Sequence, residues 1–191
     1  IGSRFNYNKM PDLSVGKEQD GTHIKLEPRF TPIKVTISYV PYNGETIPVT
    51  TNVEYGSQVV LPIPGEREGY EFTGWCFSTT GSNGTGTPCT DSEGKMVNNW
   101  DKTANTTLYA KWEVVSYTIT YVLNGGNWNN VSESDRPTSY TIETTTIILP
   151  TPIKTGYRFM GWYTNSSLTG TRVYSILKGS IGNKTFYAKW A

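Results

Sequence analysis

The sequence has one histidine, two cysteines and few charged residues. His23 is the only residue around which a nucleophile–histidine pair or a histidine metal site could be built, and it lies in a polar segment. We therefore predict no catalysis, no bound metal and no cofactor. There are 17 Lys and Arg residues and 16 Asp and Glu residues, which gives a net charge of +1. This balance predicts no nucleic-acid partner, because such proteins carry a basic surplus.

The sequence also lacks an apolar run of about 18 residues, so we predict no membrane insertion by this segment. Neither a GxGxxG motif nor a P-loop occurs, so nucleotide binding has no support. Charged residues make up 17% and aromatic residues 13% of the chain, alongside 19 Gly and 11 Pro. Such a composition is typical of a β-rich extracellular module. No secretory signal is visible at residues 1–6, and we expect the chain to be part of a longer protein.

Three sequence blocks occur twice, in the same order. They are Val35-Thr36-Ile37-Ser38-Tyr39-Val40 with Tyr117-Thr118-Ile119-Thr120-Tyr121-Val122, Gly69-Tyr70-Glu71-Phe72-Thr73-Gly74-Trp75 with Gly156-Tyr157-Arg158-Phe159-Met160-Gly161-Trp162, and Leu108-Tyr109-Ala110-Lys111-Trp112 with Phe186-Tyr187-Ala188-Lys189-Trp190. This duplication predicts repeat 1 at residues 34–113 and repeat 2 at residues 114–191. Residues 1–33 are then a linker or the end of a preceding domain.

Each predicted repeat is made of short strands. Apolar and polar residues alternate in the first and third blocks, which indicates strands with one buried face. Extra residues in repeat 1 predict a variable loop at residues 78–99, and the composition of residues 78–86 predicts that this part is flexible. Short helical turns are expected only near residues 96–102 and 173–178. The predicted fold class is mainly β with little helix, in two small tandem domains.

The repeated pattern resembles the Listeria–Bacteroides repeat, also called the internalin B-repeat. The matching residues are Gly69, Tyr70, Phe72, Gly74, Trp75, Tyr109 and Trp112 in repeat 1, and Gly156, Tyr157, Phe159, Gly161, Trp162, Tyr187 and Trp190 in repeat 2. The resemblance implies a β-grasp-like (ubiquitin-like) fold. It also implies a stalk or adhesion role in bacterial cell-wall and secreted proteins, and hence an extracellular location, at the cell surface or secreted.

Cys76 departs from the repeat pattern, since repeat 2 has Tyr163 at that position, and Cys89 lies in the longer loop. In an oxidising compartment we predict a disulfide between them, worth about 3 kcal/mol; two unpaired thiols are the alternative. Three carboxylate pairs are interpreted as turn residues rather than catalytic acids and bases. They are Glu66 with Glu68, Asp91 with Glu93, and Glu133 with Asp135.

Of the six tryptophans, four are matched between the repeats and are interpreted as core or inter-repeat packing. Trp100 and Trp128 are unmatched, lie among asparagines and are candidate ligand contacts; the alternative is that each folds back over its own domain.

Only the short connection at residues 113–116 joins the two predicted repeats, which leaves little freedom between them. We therefore predict a non-catalytic stalk or spacer that forms a semi-rigid rod and acts as an adhesion unit for a host or cell-surface protein. The alternative is a carbohydrate-binding module, appended to a secreted glycan-active enzyme, whose partner is a glycan. An internal Lys–Asn isopeptide bond is left open.

Overall fold

The structure is a computed structural model that describes residues 30–191. His23 and most of the predicted linker at residues 1–33 lie outside the described residues. The described chain forms twelve strands and one short 3₁₀ helix, Glu133–Asp135. The strands of repeat 1 are β1 (Lys34–Val40), β2 (Thr50–Glu54), β3 (Tyr70–Cys76), β4 (Ser78–Thr80), β5 (Asn83–Thr85) and β6 (Thr106–Val114). Those of repeat 2 are β7 (Tyr117–Val122), β8 (Ser139–Tyr140), β9 (Ile147–Ile148), β10 (Phe159–Tyr163), β11 (Ser175–Ile176) and β12 (Lys184–Trp190).

Both repeats have a four-stranded sheet with the same strand order. The order is β2-β1-β6-β3 in repeat 1 and β8-β7-β12-β10 in repeat 2. The two central strands are parallel in each sheet, whereas the outer strands pair with them antiparallel. Parallel neighbours need a long crossover connection, which is supplied by the segments between the first and last strand of each repeat.

A glycine bulge interrupts one outer strand of each sheet. The register shifts between Phe72 and Gly74 in β3, and between Phe159 and Gly161 in β10. Gly74 has a φ of +138° and Gly161 a φ of +121°. A Cβ atom on Gly74 would lie 2.4 Å from the carbonyl oxygen of Thr90. Both the backbone angle and the close approach therefore require glycine in repeat 1.

Each repeat has its own hydrophobic core, formed by the inward residues of its sheet and by residues of the crossover. The buried core of repeat 1 contains Val35, Ile37, Val53, Leu61, Phe72, Trp75, Met96, Trp100, Leu108, Ala110 and Trp112. The buried core of repeat 2 contains Ile119, Tyr140, Leu149, Trp162, Ile176, Phe186 and Ala188. Aromatic rings supply much of the volume, as small domains with thin cores require.

The mainly β fold class is confirmed. No α-helix occurs in residues 30–191, and the turns expected near residues 96–102 and 173–178 are not helical. Across these described residues no helix is long and apolar enough to cross a membrane. The β-grasp assignment stays a prediction, as do the exact repeat boundaries.

The loop predicted to be flexible is an ordered hairpin. Strands β4 and β5 pair with each other, and β5 packs on β6. The side chain of Asn83 donates to the carbonyl of Trp112 at 2.9 Å and accepts from its N–H at 2.7 Å. This edge of β6 has no partner strand there, because β1 pairs with β6 only as far as Tyr109. The side-chain amide of Asn83 thus supplies the hydrogen bonds that a neighbouring strand would otherwise make with Trp112.

Candidate functional site

The repeated tryptophans hold each repeat together by indole hydrogen bonds as well as by packing. Trp75 donates its indole N–H to the carbonyl of Pro62, and Trp162 donates to Pro150, both at 2.8 Å. The last tryptophan of each repeat likewise bonds to the chain after the first strand, through Pro41 in repeat 1 and Leu123 in repeat 2. A buried indole needs such a partner.

A phenylalanine stands between the two repeated tryptophans in each copy. Phe72 makes edge-to-face contacts with Trp75 at 5.5 Å and with Trp112 at 5.6 Å between ring centroids. Phe159 makes both contacts at 5.4 Å in repeat 2. Each such pair adds about 0.5–1.5 kcal/mol beyond the buried area. The phenylalanine and the two tryptophans thus pack together in each repeat, and the structural role of the whole motif stays a prediction.

A cation lies over the repeated tyrosine in both copies. The Arg67 guanidinium is 4.2 Å from the Tyr70 ring centroid and 5.9 Å from that of Trp112. Lys154 stands at the same two distances from Tyr157 and from the terminal tryptophan of repeat 2. The repeats thus share one surface made of a cation, a glycine and a tyrosine, which we call the tyrosine face: residues 67, 69 and 70, or 154, 156 and 157.

The structure contradicts the prediction that Trp100 is a ligand contact. Its ring is 0% exposed and belongs to the core of repeat 1. The indole N–H donates to the carbonyl of Lys102 at 3.0 Å, and the backbone of Trp100 bonds to Ser57 and Gly56. The asparagines that precede Trp100 in the sequence are exposed, whereas its ring points into the core.

Trp128 is only partly buried and packs against the core of repeat 2. Its ring is edge-on to Tyr121 at 5.4 Å and lies 6.0 Å from Trp162, with the Arg136 guanidinium 5.9 Å away. The other five tryptophans donate their indole N–H to a backbone carbonyl, whereas within residues 30–191 that of Trp128 has no such acceptor. Its role as a ligand contact stays a prediction.

The predicted disulfide is absent, because both cysteines are free thiols. Trp75 takes the core-facing position on β3, so the next residue, Cys76, points to the other face and lies under Gly84 of β5. Cys89 packs against the core instead. Burial raises the pKa of Cys76, while burial and, second to it, the nearby Cys76 thiol raise the pKa of Cys89 to about 12. The loop spacing alone does not determine where the two side chains point.

The tyrosine face of repeat 1 is covered by repeat 2. A Cβ atom on Gly69 would lie 2.7 Å from side-chain atoms of Ile142, so the turn that follows β8 rests directly on this glycine. The carbonyl of Gly69 accepts from the N–H of Val115 at 2.9 Å. The Tyr70 hydroxyl donates to a carboxylate oxygen of Glu143 at 2.6 Å. We call these contacts the junction.

An open groove of about 740 Å³ runs beside the junction. It is lined by Pro64, Gly65, Glu66, Arg67, Glu68, Gly69, Tyr70, Phe72, Trp112 and Ile181. The hydrogen bond to Glu143 is the main cause that raises the pKa of Tyr70, because it stabilises the protonated hydroxyl. Sequence reasoning missed Ile142, Glu143 and Ile181, although the four-residue connection at residues 113–116 indicated close repeats.

The other carboxylate pairs lie in turns. Asp91 accepts from the N–H groups of Glu93 and Lys95 and closes the turn to Gly94. Glu133 and Asp135 form the 3₁₀ helix. No cluster of three or more His, Cys, Asp or Glu residues suited to a metal occurs within the part of the chain that the structure describes.

Comparison with known proteins agrees with this duplicated architecture. Residues 36–111 and 117–189 match the Listeria-Bacteroides repeat domain. The chain belongs to this family and carries two tandem copies of its domain.

The chain is also similar to parts of longer bacterial proteins. The chain is 32% identical over 162 residues to a putative membrane protein of Evansella cellulosilytica, covering 82% of this chain and 21% of the relative. It is 33% identical over 148 residues to a putative Gly-rich membrane protein of that organism, covering 78% and 15%. Internalin H of Listeria monocytogenes is 31% identical over 144 residues, covering 73% and 23%. The chain thus spans less than a quarter of each relative.

Proposed function

We propose that this chain is a non-catalytic spacer of a bacterial surface protein, in which two repeats hold a fixed relative orientation and present neighbouring domains to a host or cell-surface protein. The junction carries this proposal, because repeat 2 contacts the tyrosine face of repeat 1 through Ile142 and Glu143. Membership of the repeat family and the similarity to Internalin H support a surface location. In repeat arrays, stiffness comes from such neighbour contacts.

The spacer proposal is tested by small-angle scattering of the wild type and of Ile142→Asp. Ile142→Asp places a carboxylate against Gly69 and should separate the repeats. We expect an elongated wild type with a narrow distribution of maximum dimensions, and a broad distribution for the variant. Ile148→Asp is the matched control, since Ile148 is exposed in the same repeat. A compact wild type, or one as flexible as Ile142→Asp, would contradict the proposal.

A glycan-binding role is the second candidate, and Trp128 is the observation that favours it. A partly exposed indole whose N–H has no acceptor within the described residues offers both a stacking face and a hydrogen-bond donor to a sugar. The test is affinity electrophoresis of the folded chain through gels that contain polysaccharides. Retardation should be lost in Trp128→Ala and kept in Tyr174→Ala, an exposed aromatic of the same repeat. Equal migration of wild type and Trp128→Ala in every gel would remove this candidate.

A further inference from the structure

The chain enters each repeat on one central strand of the sheet and leaves it on the other. In repeat 1 these strands are β1 and β6, which pair in parallel over four residues of each strand. In repeat 2 they are β7 and β12, which pair in parallel over the same number of residues. The remaining strands lie between them in the sequence, within the crossover. Tension applied to the two ends of a repeat is therefore transferred directly between two neighbouring strands.

The parallel pairing fixes the direction in which this tension acts on the hydrogen bonds. The chain enters the first strand at one end of the ladder and leaves the last strand at the other end, because the two strands run the same way. Pulling the ends apart therefore slides the strands along each other and strains all the bonds between them together. An antiparallel pair pulled at adjacent ends would instead open one pair of residues after another.

An asparagine extends this ladder at the end where the chain enters the first strand. The side chain of Asn105, which directly precedes β6, accepts from the backbone N–H of Thr36 at 2.8 Å. Asn183 directly precedes β12 and accepts from the N–H of Thr118 at 2.9 Å. The backbone ladder begins one residue later in each first strand. The same side-chain bond thus occurs in both repeats, although neither asparagine belongs to the repeated blocks.

The terminal tryptophan of each repeat closes the other end of the ladder. The indole N–H of Trp112 donates to the carbonyl of Pro41 at 2.7 Å, and that of Trp190 donates to Leu123 at 2.8 Å. These two acceptors directly follow β1 and β7. Side-chain hydrogen bonds therefore lie at both ends, where tension first reaches each strand. We call these bonds, together with the paired residues 37–40 and 106–109, or 119–122 and 184–187, the strand clamp.

We propose that the strand clamp of each repeat carries tension along the chain, so that the repeats are load-bearing links between the domains that they space. This inference rests on the proposed spacer function, since a connector between separate domains is pulled from both ends. The clamp has the same parts in both repeats, whereas the strands of the two crossovers differ. Each clamp also lies between two outer strands, so neither of its strands is an exposed edge of the sheet.

The test is single-molecule pulling of the whole chain, with the load placed on repeat 2 in two directions. Handles at Ser116→Cys and Ala191→Cys pull on the start of β7 and the end of β12, which loads the clamp. Handles at Arg158→Cys and Ala191→Cys are the matched control, because Arg158 and Ala191 form a backbone hydrogen-bonded pair at adjacent ends of β10 and β12. All three positions are exposed. We expect a roughly threefold higher unfolding force in the clamp direction at the same pulling speed, because four paired residues resist together.

One substitution tests the asparagine of the clamp. Asn183→Ala removes the acceptor of the Thr118 N–H, so unfolding under the clamp load should become about threefold faster. The rate in the Arg158 control direction should stay unchanged, because that load opens the sheet from the opposite end of β12. Asn129→Ala, at an exposed asparagine of the same repeat, should change neither rate.

Equal unfolding forces in the two directions would overturn the proposal, as would an Asn183→Ala variant whose effect is the same in both. The comparison of directions needs only exposed handle positions, so it decides the matter even where Asn183→Ala does not fold. Neither handle pair loads repeat 1 or the junction, whereas scattering of Ile142→Asp examines the junction alone. Equal forces with an elongated wild type would therefore reject the clamp and leave the spacer function in place.

Discussion

At the residue scale, one tyrosine position shows how the repeats differ in hydrogen bonding. The Tyr39 hydroxyl bonds to the Thr50 hydroxyl at 2.6 Å. Tyr121 occupies the same position in repeat 2, and its buried hydroxyl has no hydrogen-bond partner among residues 30–191. Burial of this hydroxyl raises the pKa of Tyr121 to about 12. Repeat 2 thus bears a desolvated polar group that repeat 1 satisfies.

We expect Tyr39→Phe and Tyr121→Phe to change stability in opposite directions. Tyr39→Phe removes a hydrogen bond and should lower the free energy of unfolding by about 1 kcal/mol. Tyr121→Phe removes an unsatisfied hydroxyl, so it should leave the free energy unchanged or raise it by up to about 1 kcal/mol. Urea unfolding of the two variants against the wild type measures both. A larger loss in Tyr121→Phe than in Tyr39→Phe would contradict this reading.

The cysteines give a second prediction at this scale. The thiolate is the reactive form, and raising the pKa of Cys89 from 9.0 to about 12 lowers the thiolate fraction below pH 9 by about a thousandfold. Neither cysteine should therefore be alkylated by iodoacetamide at pH 8 in the folded chain, and both should react in denaturant. The intact mass after each treatment gives the number of alkylated cysteines. Rapid labelling of the folded chain would contradict the burial of these thiols.

At the scale of elements, much of the fold follows from patterns in the sequence. The alternation in Val35-Thr36-Ile37 and its copy predicts β1 and β7, and the duplication predicts that both sheets share one plan. The ordered hairpin of β4 and β5 could not be predicted, because its composition is that of a loop. Its order comes from Asn83 bonding to a strand 29 residues away. The burial of Trp100 could not be predicted for the same reason, since its backbone N–H bonds to the carbonyl of Ser57, far away in the sequence.

The side chain of Asn83 should contribute measurably to the stability of repeat 1. Asn83→Ala removes both bonds to the backbone of Trp112 and leaves those backbone groups without their partner. We expect the free energy of unfolding to fall by about 1–3 kcal/mol, and the amides of β5 to exchange faster with solvent. Asn98→Ala, at an exposed asparagine of the same crossover, is the matched control. Equal stability of the two variants would mean that the hairpin adds nothing to the sheet.

At the scale of the whole molecule, the relation between the repeats depends on few residues. The sequence indicated closeness through a four-residue connection, but nothing in it identified Ile142 as the residue that meets Gly69. That contact joins a turn of one repeat to the repeated glycine–tyrosine motif of the other, and neither periodicity nor composition predicts such pairs. The same limit applies to Tyr70 and Glu143, whose hydrogen bond spans 73 positions.

This hydrogen bond makes part of the junction sensitive to alkaline pH. Because the pKa of Tyr70 is raised above 10.0 in the folded chain, the contribution of the bond is fully present below pH 10 and is lost as the pH rises through the raised pKa. A double-mutant cycle of Tyr70→Phe and Glu143→Gln should give a coupling of about 0.5 kcal/mol at pH 7, small because both side chains are near solvent. The coupling, measured by urea unfolding, should disappear when the cycle is repeated with Tyr70 ionised. A parallel cycle of Tyr157→Phe and Glu143→Gln, residues without mutual contact, should give none, and equal coupling in both cycles would mean that the repeats do not meet through Tyr70.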